Sequence, residues 1–384
     1  MNVVFLSPRF PPTAWRFCRA LRERGVRVLG VGDEPCPAEW AESRGLVEYV
    51  FEPGMADYDT LHRAVAGLRT RHGRLDRIDS NGERWLAAEA RLRDDLDVPG
   101  LRSAELRRHL SKLGMAETFR AAGIPHPPGI PADSAEQVRA FAEEQGFPLV
   151  FKPDSGSGAV NTFTVANARE LEQALSRDLS GYVVQPFVSG DIVTYDGLTD
   201  SAGQIVFSAS HVYDVGIMQL RQGRLDGYYY SLRSIPKPLD ELGARAVAAF
   251  ALRARFFHLE FFARPDGAYL ALEMNLRPPG GFTTDMMNYA GNIDVYALWA
   301  RALAGESLGA IAYEREYYTA HVGRRREHDY RSGHEELVRA LGPTLVAVEK
   351  VPDAFADTMG NTAYLLRHAE LEALKHAIEL VRAR

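Results

Sequence analysis

The first hundred residues alternate short, continuous apolar runs with segments in which apolar residues recur every three to four positions. Val3 to Ser7 is such a run. From Thr13 to Arg24, Trp15, Phe17, Cys18 and Leu21 fall at helical spacing, and Gly25 stops the pattern. A second run, Val26 to Gly32, ends at Asp33. It is followed by an apolar run at Glu48 to Phe51, a helical pattern near Tyr58 to His72, a run near Leu75 to Asp79 and a helical pattern near Trp85 to Arg93. Strands alternating with helices predict a parallel sheet covered on both faces. In open sheets of this kind ligands gather beyond the carboxyl ends of the strands. Those ends carry Ser7-Pro8-Arg9, Asp33 and the Asp79 to Glu83 loop. Asn81 and Glu83 are candidates for binding a second substrate, and capping of the following helix explains them equally well.

From about residue 101 the pattern changes. A helix is predicted from Lys112 to Ala122, then Pro-rich Ile124 to Pro131, a helix from Ser134 and a strand at Leu149 to Lys152. A Gly/Ser loop, Asp154-Ser155-Gly156-Ser157-Gly158, leads into a strand at Thr162 to Val165 and a helix at Ala168 to Leu175. The remainder carries a strand at Ile205 to Ser210, two strands around Pro265-Asp266-Gly267, strands at Thr344 to Val351 and Met359 to Leu366, and a last helix. These shifts divide the chain into three units, 1–100, 101–185 and 186–384, with no internal repeat or low-complexity tract.

The strands around Pro265-Asp266-Gly267 carry the strongest chemical signal. Leu259, Phe261, Phe262, Leu270 and Leu272 make both strongly apolar, yet Glu260 lies within the first, and Glu273 and Asn275 lie two apart on one face of the second. A carboxylate in such a strand either faces solvent or has a partner, because burying it alone costs several kcal/mol. Two carboxylates and an amide form an oxygen-only cage suited to magnesium. Arg277, on the same face, adds a fork of donors for phosphate or carboxylate.

Glu260, the turn and Glu273-x-Asn275-x-Arg277 resemble the ATP-grasp superfamily, whose C-terminal lobe carries this arrangement. Two further segments match the family in order and spacing. Lys152 ends the strand before the Gly/Ser loop, and Lys112 opens a helix that runs into Gly123-Ile124-Pro125. The resemblance implies an α/β and α+β protein: an N-terminal parallel α/β domain, then a two-lobed ATP-grasp fold with a smaller lobe bearing a Gly-rich flap. It implies ATP and Mg2+ as cofactors, with Mn2+ as an alternative. Glu260, Glu273 and Asn275 are the implied metal ligands, and Lys112, Lys152, Ser155, Gly156, Ser157 and Gly158 the phosphate-binding residues.

Gly181 to Asp191 is similar to the family's hinge strand. Gln185 stands where an acid usually faces the adenine amino group, and an amide oxygen can accept the same hydrogen bond. Asp191 stands where a Glu usually takes a ribose hydroxyl. Phe187 and Val188 would give adenine an apolar face and main-chain hydrogen bonds, or serve simply as strand core. The family converts a carboxylate to an acyl phosphate that an amine then attacks, so Arg277 and Lys152 are the implied catalytic residues. Gly280 and Gly281, in the Pro278-Pro279-Gly280-Gly281 loop, would hold the substrate carboxylate or acyl phosphate with free N–H groups. Asp285 would pair with a substrate ammonium or act only as a helix-N-terminal acid. Tyr230, among Tyr228 to Tyr230, and Arg233 are candidates for further substrate contacts.

Composition narrows the reading. The 384 residues suffice for two or three domains, and 46% hydrophobic content is that of an ordinary globular protein. A net charge of −6 argues against nucleic-acid binding. The basic run Arg324-Arg325-Arg326 is read as solvated or as a local phosphate-facing feature. Cys18 and Cys36 without a CxxC exclude a disulfide scaffold, no apolar run spans a membrane, and a cytoplasmic location follows. No GxGxxG, Walker A or GxSxG sequence occurs. The expected protein is an ADP-forming carboxylate–amine ligase acting on a small acid, such as an amino acid, and a small-molecule amine; a homodimer is compatible with this. A biotin-carboxylase-like enzyme and a non-catalytic ATP-binding regulator are the alternatives.

Overall fold

A computed structural model of the chain describes residues 1–156, 158, 160–216, 220 and 225–384. The N-terminal unit comprises β1 (Asn2–Leu6), α1 (Ala14–Glu23), β2 (Arg27–Gly32), α2 (Ala38–Ser43), β3 (Leu46–Phe51), α3 (Tyr58–His72), β4 (Arg77–Asp79) and α4 (Leu86–Asp95). The strands form a parallel sheet in the order β3-β2-β1-β4. Alternation along β1 puts Val3 and Phe5 in one core with α1, and Val4 and Leu6 in another with α3 and α4, so both faces are covered as expected. Helix α2 was not legible: it has six residues and buries only Ala41, too few for a period to show.

Next come α5 (Arg107–Leu110), α6 (Lys112–Ala121), β5 (Ile130–Pro131), α7 (Ala135–Gln145), β6 (Leu149–Pro153), β7 (Phe163–Val165), α8 (Ala168–Leu175) and β8 (Tyr182–Pro186). The strands pair antiparallel in the order β5-β8-β6-β7. Val138, Phe141, Leu149, Phe151 and Val184 form the core under this sheet. Phe151 and Phe163 stack with ring centroids 5.2 Å apart, fixing the base of the 154–162 loop.

The rest of the chain builds a nine-stranded sheet. It comprises β9 (Asp191–Thr199), β10 (Ile205–Ala209), β11 (His211–Tyr213), β12 (Tyr228–Ser231), α9 (Lys237–Ala249), β13 (Phe256–Ala263), β14 (Tyr269–Asn275), α10 (Thr283–Gly291) and α11 (Val295–Leu303). Beyond these lie β15 (Tyr318–Arg324), α12 (His334–Leu341), β16 (Leu345–Lys350), α13 (Asp353–Met359), β17 (Thr362–His368) and α14 (Leu371–Arg382). The order is β14-β13-β9-β11-β12-β15-β17-β16, with β10 also paired to β9. Among the described residues no helix is long and apolar enough to cross a membrane.

Two contacts fasten the N-terminal sheet to the large one. Phe17 of α1 packs edge-on against Tyr296 and Trp299 of α11, with centroids 4.8 and 5.1 Å away. Beside it, Arg255 donates to Asp79 at 3.1 Å and to the Leu276 carbonyl at 3.2 Å, and Arg93 donates to Glu89 at 2.8 Å. All four of these charged side chains are buried. Removing one member of such a group leaves a buried charge uncompensated, which costs about 3–5 kcal/mol. Arg255→Met should therefore lower the urea-unfolding free energy by that amount, and a loss under 1 kcal/mol would show that the group carries no net coupling.

Candidate active site

The register of the sheet assembles the site. Glu260 of β13 lies directly across from Glu273 of β14, and His258 lies across from Asn275. Like charges placed opposite one another are unfavourable. Here burial first, and then the Glu260 charge, push the Glu273 carboxyl above its ordinary range. Asn275 Nδ2 donates to Glu273 Oε1 at 3.2 Å. The lysine at the end of β6 reaches the same place. Lys152 is pushed down to about 8 by burial, opposed by attraction to Glu273 and Glu260, with Lys112 adding repulsion. Among the described residues no three His, Cys, Asp or Glu side chains gather as a metal cage. Two facing carboxylates and an amide nevertheless offer the oxygen donors that a hard divalent cation would take, and Glu260, Glu273 and Asn275 would hold it. A cation there relieves the carboxylate repulsion, and phosphates would offset the two ammonium groups.

Behind Glu260 stands a group absent from the sequence reading. His258 Nδ1 donates to Asp196 Oδ1 at 2.6 Å, and its Nε2 donates to Glu260 Oε1 at 3.1 Å. His211 Nδ1 lies 2.7 Å from Asp196 Oδ2. Burial opposes the charge on His258, but Asp196 and Glu260 raise it to about 9. Burial likewise opposes the Asp196 charge, and the two histidines hold it down to about 2. Period-two spacing was the available signal: Thr194 and Asp196 interrupt an apolar run, and His258 shares a face with Glu260.

The pH dependence has a defined sign. Because the His258 pKa is raised on folding, its contribution is complete below about 6.5 and is lost as pH rises through about 9. That of Asp196 is present above about 4 and is lost as pH falls through about 2. Lys152, lowered on folding, acts in the opposite sense above about 8. The difference in unfolding free energy between wild type and His258→Gln should therefore shrink from pH 6.5 to 9, with a slope of up to about 1.4 kcal/mol per pH unit. A difference that does not change with pH would mean that His258 is neutral in the folded chain.

Arg277 follows the metal strands. Its Nε donates to Glu83 of the N-terminal unit at 3.3 Å, and its Nη1 donates to the Pro278 carbonyl at 3.1 Å. Glu83 thus lies at the site through Arg277. Asn81 is buried in a left-handed conformation (φ 51°), and neither end of its amide has a partner among the described residues. In the Pro278 to Gly281 loop, Gly280 is exposed and open. Gly281 has φ 66°, and a Cβ there would strike Met359 and approach the Tyr229 hydroxyl, so only glycine fits.

Three of the expected substrate residues have contacts within the chain. Asp285 already has an internal cation: Arg16 Nη1 lies 2.6 Å from its Oδ1, and Tyr296 donates to the same oxygen at 2.7 Å. Tyr230 packs with Tyr228 in the cluster on the other face of β12, beside Ala320 and Val322. Tyr229, between them, points to the opposite face. It stacks between Tyr213 (4.8 Å) and His321 (5.1 Å) and hydrogen-bonds Thr283 at 2.8 Å. Tyr213 in turn feels the charges of Asp196, Glu260 and Arg277. Arg233, exposed, donates from Nε and Nη1 to the Arg315 and Ala369 carbonyls at 2.9 and 3.0 Å.

The flap and hinge flank the lysines. Lys112 Nζ donates to the Gly156 carbonyl at 2.8 Å, and Gly156 has φ 100°. Asp154 is structural, accepting the Leu113 N–H at 2.9 Å at the start of α6. Ser155 is exposed and Gly158 partly buried, whereas Ser157 lies outside the described residues. In the hinge, Gln185 is buried, Val188 half-buried and Asp191 exposed. Phe187 exposes 46% of its surface. Its N–H donates to the Pro148 carbonyl at 2.9 Å, which leaves its carbonyl and the Val188 backbone for the expected main-chain contacts.

No family model matches the chain. It is 24% identical over 242 residues to an L-arginine-specific L-amino acid ligase of Bacillus subtilis. That match covers 60% of the chain and 57% of the relative, so the chain spans little more than half of that relative's length. An L-amino acid ligase from Bacillus licheniformis superposes with a TM-score of 0.75 at 16% identity, covering 98% of this chain and 96% of the other. N5-carboxyaminoimidazole synthetase from Staphylococcus aureus, complexed with ADP, superposes with a TM-score of 0.76 at 13% identity, with coverages of 98% and 96%.

Proposed function

We propose that this chain, whose fold is that of the ATP-grasp ligases, is an ADP-forming carboxylate–amine ligase joining two small molecules. The observation that carries this reading is the convergence of Glu260, Glu273 and Asn275 with Lys152 and Arg277 on the strand ends. Amino acids are the favoured substrate class, supported by the likeness to L-amino acid ligases. Such an enzyme works on soluble metabolites in the cytoplasm and needs neither nucleic acid nor membrane.

The chemistry divides among the named residues. Glu260, Glu273 and Asn275 would hold a magnesium ion, which when bound would neutralise charge on the nucleotide phosphates. Lys152, with Lys112 at the flap, offsets the charge that develops as the γ-phosphoryl group leaves ADP for a carboxylate oxygen of the first substrate. Arg277 holds that carboxylate, and Glu83 fixes the plane of the guanidinium. The amine then attacks the acyl carbon, phosphate departs and the nitrogen loses a proton, leaving an amide. Asn81, two residues before Glu83 and with neither end of its amide partnered among the described residues, would orient the second substrate. Burial of the unprotected intermediate beneath the Gly-rich flap limits hydrolysis.

The test is ADP release from Mg-ATP with pooled amino acids as acid and amine donors, with products read by mass spectrometry. ADP, phosphate and a product of dipeptide mass, all requiring the amino-acid pool, are expected. ADP release with bicarbonate alone would replace this reading with carboxyphosphate formation.

A further inference from the structure

β15, β17 and the start of α12 surround an open polar pocket of about 320 Å³, lined by none of Glu260, Glu273, Asn275, Lys112 or Lys152. A guanidinium forms part of its wall. Arg324 is 8% exposed, donates from Nε to the Val381 carbonyl at 2.7 Å and from Nη1 to the Ser332 carbonyl at 2.9 Å. Its Nη2 is buried and makes no well-aligned hydrogen bond among the described residues, although the Tyr364 hydroxyl is close enough to feel the guanidinium charge. Among the described residues no carboxylate comes within ion-pairing distance of it, although 31 ion pairs occur elsewhere. Instead its plane lies over Tyr330, 4.2 Å from the ring centroid, and near Tyr364 at 5.5 Å. A buried cation held by neutral carbonyls, ring faces and a tyrosine hydroxyl, with no carboxylate beside it, retains a desolvation cost that an anion would reduce.

Two more donors converge on the same space. Helix α12 begins at His334 after Gly333, which has no side chain to cap the first turn, and neither Glu335 nor Glu336 accepts from that turn. Its free N–H groups and positive end therefore face the pocket mouth. Arg326 lines the wall, is exposed, and has no side-chain partner among the described residues. Arg325 is not available: Leu225, Ala356 and Asp357 carbonyls take its N–H groups. His328 is committed to Asp226 at 2.9 Å. The one acid on the wall, Asp329, is exposed.

We infer that this pocket is a second anion site, distinct from the nucleotide site, that takes the phosphate group of a small molecule through Arg324 Nη2, the first turn of α12 and Arg326. A volume of about 320 Å³ exceeds what inorganic phosphate fills and falls at the lower end of small-ligand pockets. An organic phosphate monoester is therefore the favoured occupant. Planar, delocalised arginine suits the doubly charged oxyanion better than lysine would.

Calorimetric titration of the full chain with inorganic phosphate and with glycerol 3-phosphate tests this. Titrations of wild type and of Lys152→Met, whose candidate nucleotide site is impaired, should give the same single-site affinity. Arg324→Gln should weaken binding at least tenfold, and Arg326→Ala, at an exposed side chain that leaves the fold intact, three- to tenfold. Tighter binding of glycerol 3-phosphate identifies an organic phosphate, and equal binding identifies phosphate alone; both support the site. Absence of saturable binding, binding lost in Lys152→Met, or binding unchanged in Arg326→Ala would overturn it. Arg326→Ala keeps the test decisive if Arg324→Gln does not fold.

Discussion

Glu273→Gln should reduce ADP-forming turnover by about a thousandfold, near the upper range for removing one preorganised electrostatic contact from an active site. The same change should leave the nucleotide-free protein at least as stable as wild type. Glu273 faces Glu260 directly across the strand pair, and both burial and that neighbouring charge raise its carboxyl above its ordinary range. Glutamine keeps the shape, removes the repulsion and can still accept from Asn275. A residue retained for packing would show the reverse, with lost stability and retained activity. Thermal melts and steady-state assays on one preparation separate the two, and turnover within tenfold of wild type would remove Glu273 from the metal site.

Lys152→Met should weaken ADP binding by about tenfold to a hundredfold, the worth of one charge-assisted hydrogen bond to phosphate. Turnover should fall further than affinity, because the ammonium matters most when charge accumulates on the moving phosphoryl group. Burial lowers the lysine to about 8, so the empty folded chain gains little from this cation. Methionine, unbranched and of similar length, should preserve or raise the melting temperature without nucleotide while abolishing most of the ADP-induced rise. Unchanged calorimetric affinity for ADP would show that Lys152 does not meet phosphate.

The fold was legible where one rule acted alone. Continuous apolar runs between helical repeats gave the parallel sheet, because a strand buried on both faces needs no alternation. Glu260, Glu273 and Asn275 were legible as a group because polar residues at period two in apolar strands demand partners. The same rule extends to Asp196 and His258, but seeing that these two meet requires the β9–β13 register, and distant strand pairing is not written locally. Tyr230 shows the limit from the other side. Three consecutive tyrosines alternate faces, and only the neighbouring strand and helix decide which core each face meets. Asp285 shows the same dependence on distant pairing. The cation at its Oδ1, Arg16, lies 269 positions away in another unit, while its Oδ2 has no partner among the described residues.

The most direct measurement uses an amino-acid substrate labelled with 18O in its carboxylate, in a complete reaction containing Mg-ATP and an amine. Activation of the carboxylate as an acyl phosphate predicts ADP, an amide product and one 18O atom transferred to inorganic phosphate per turnover. Formation of AMP, or of an amide accompanied by unlabelled phosphate, would contradict the account.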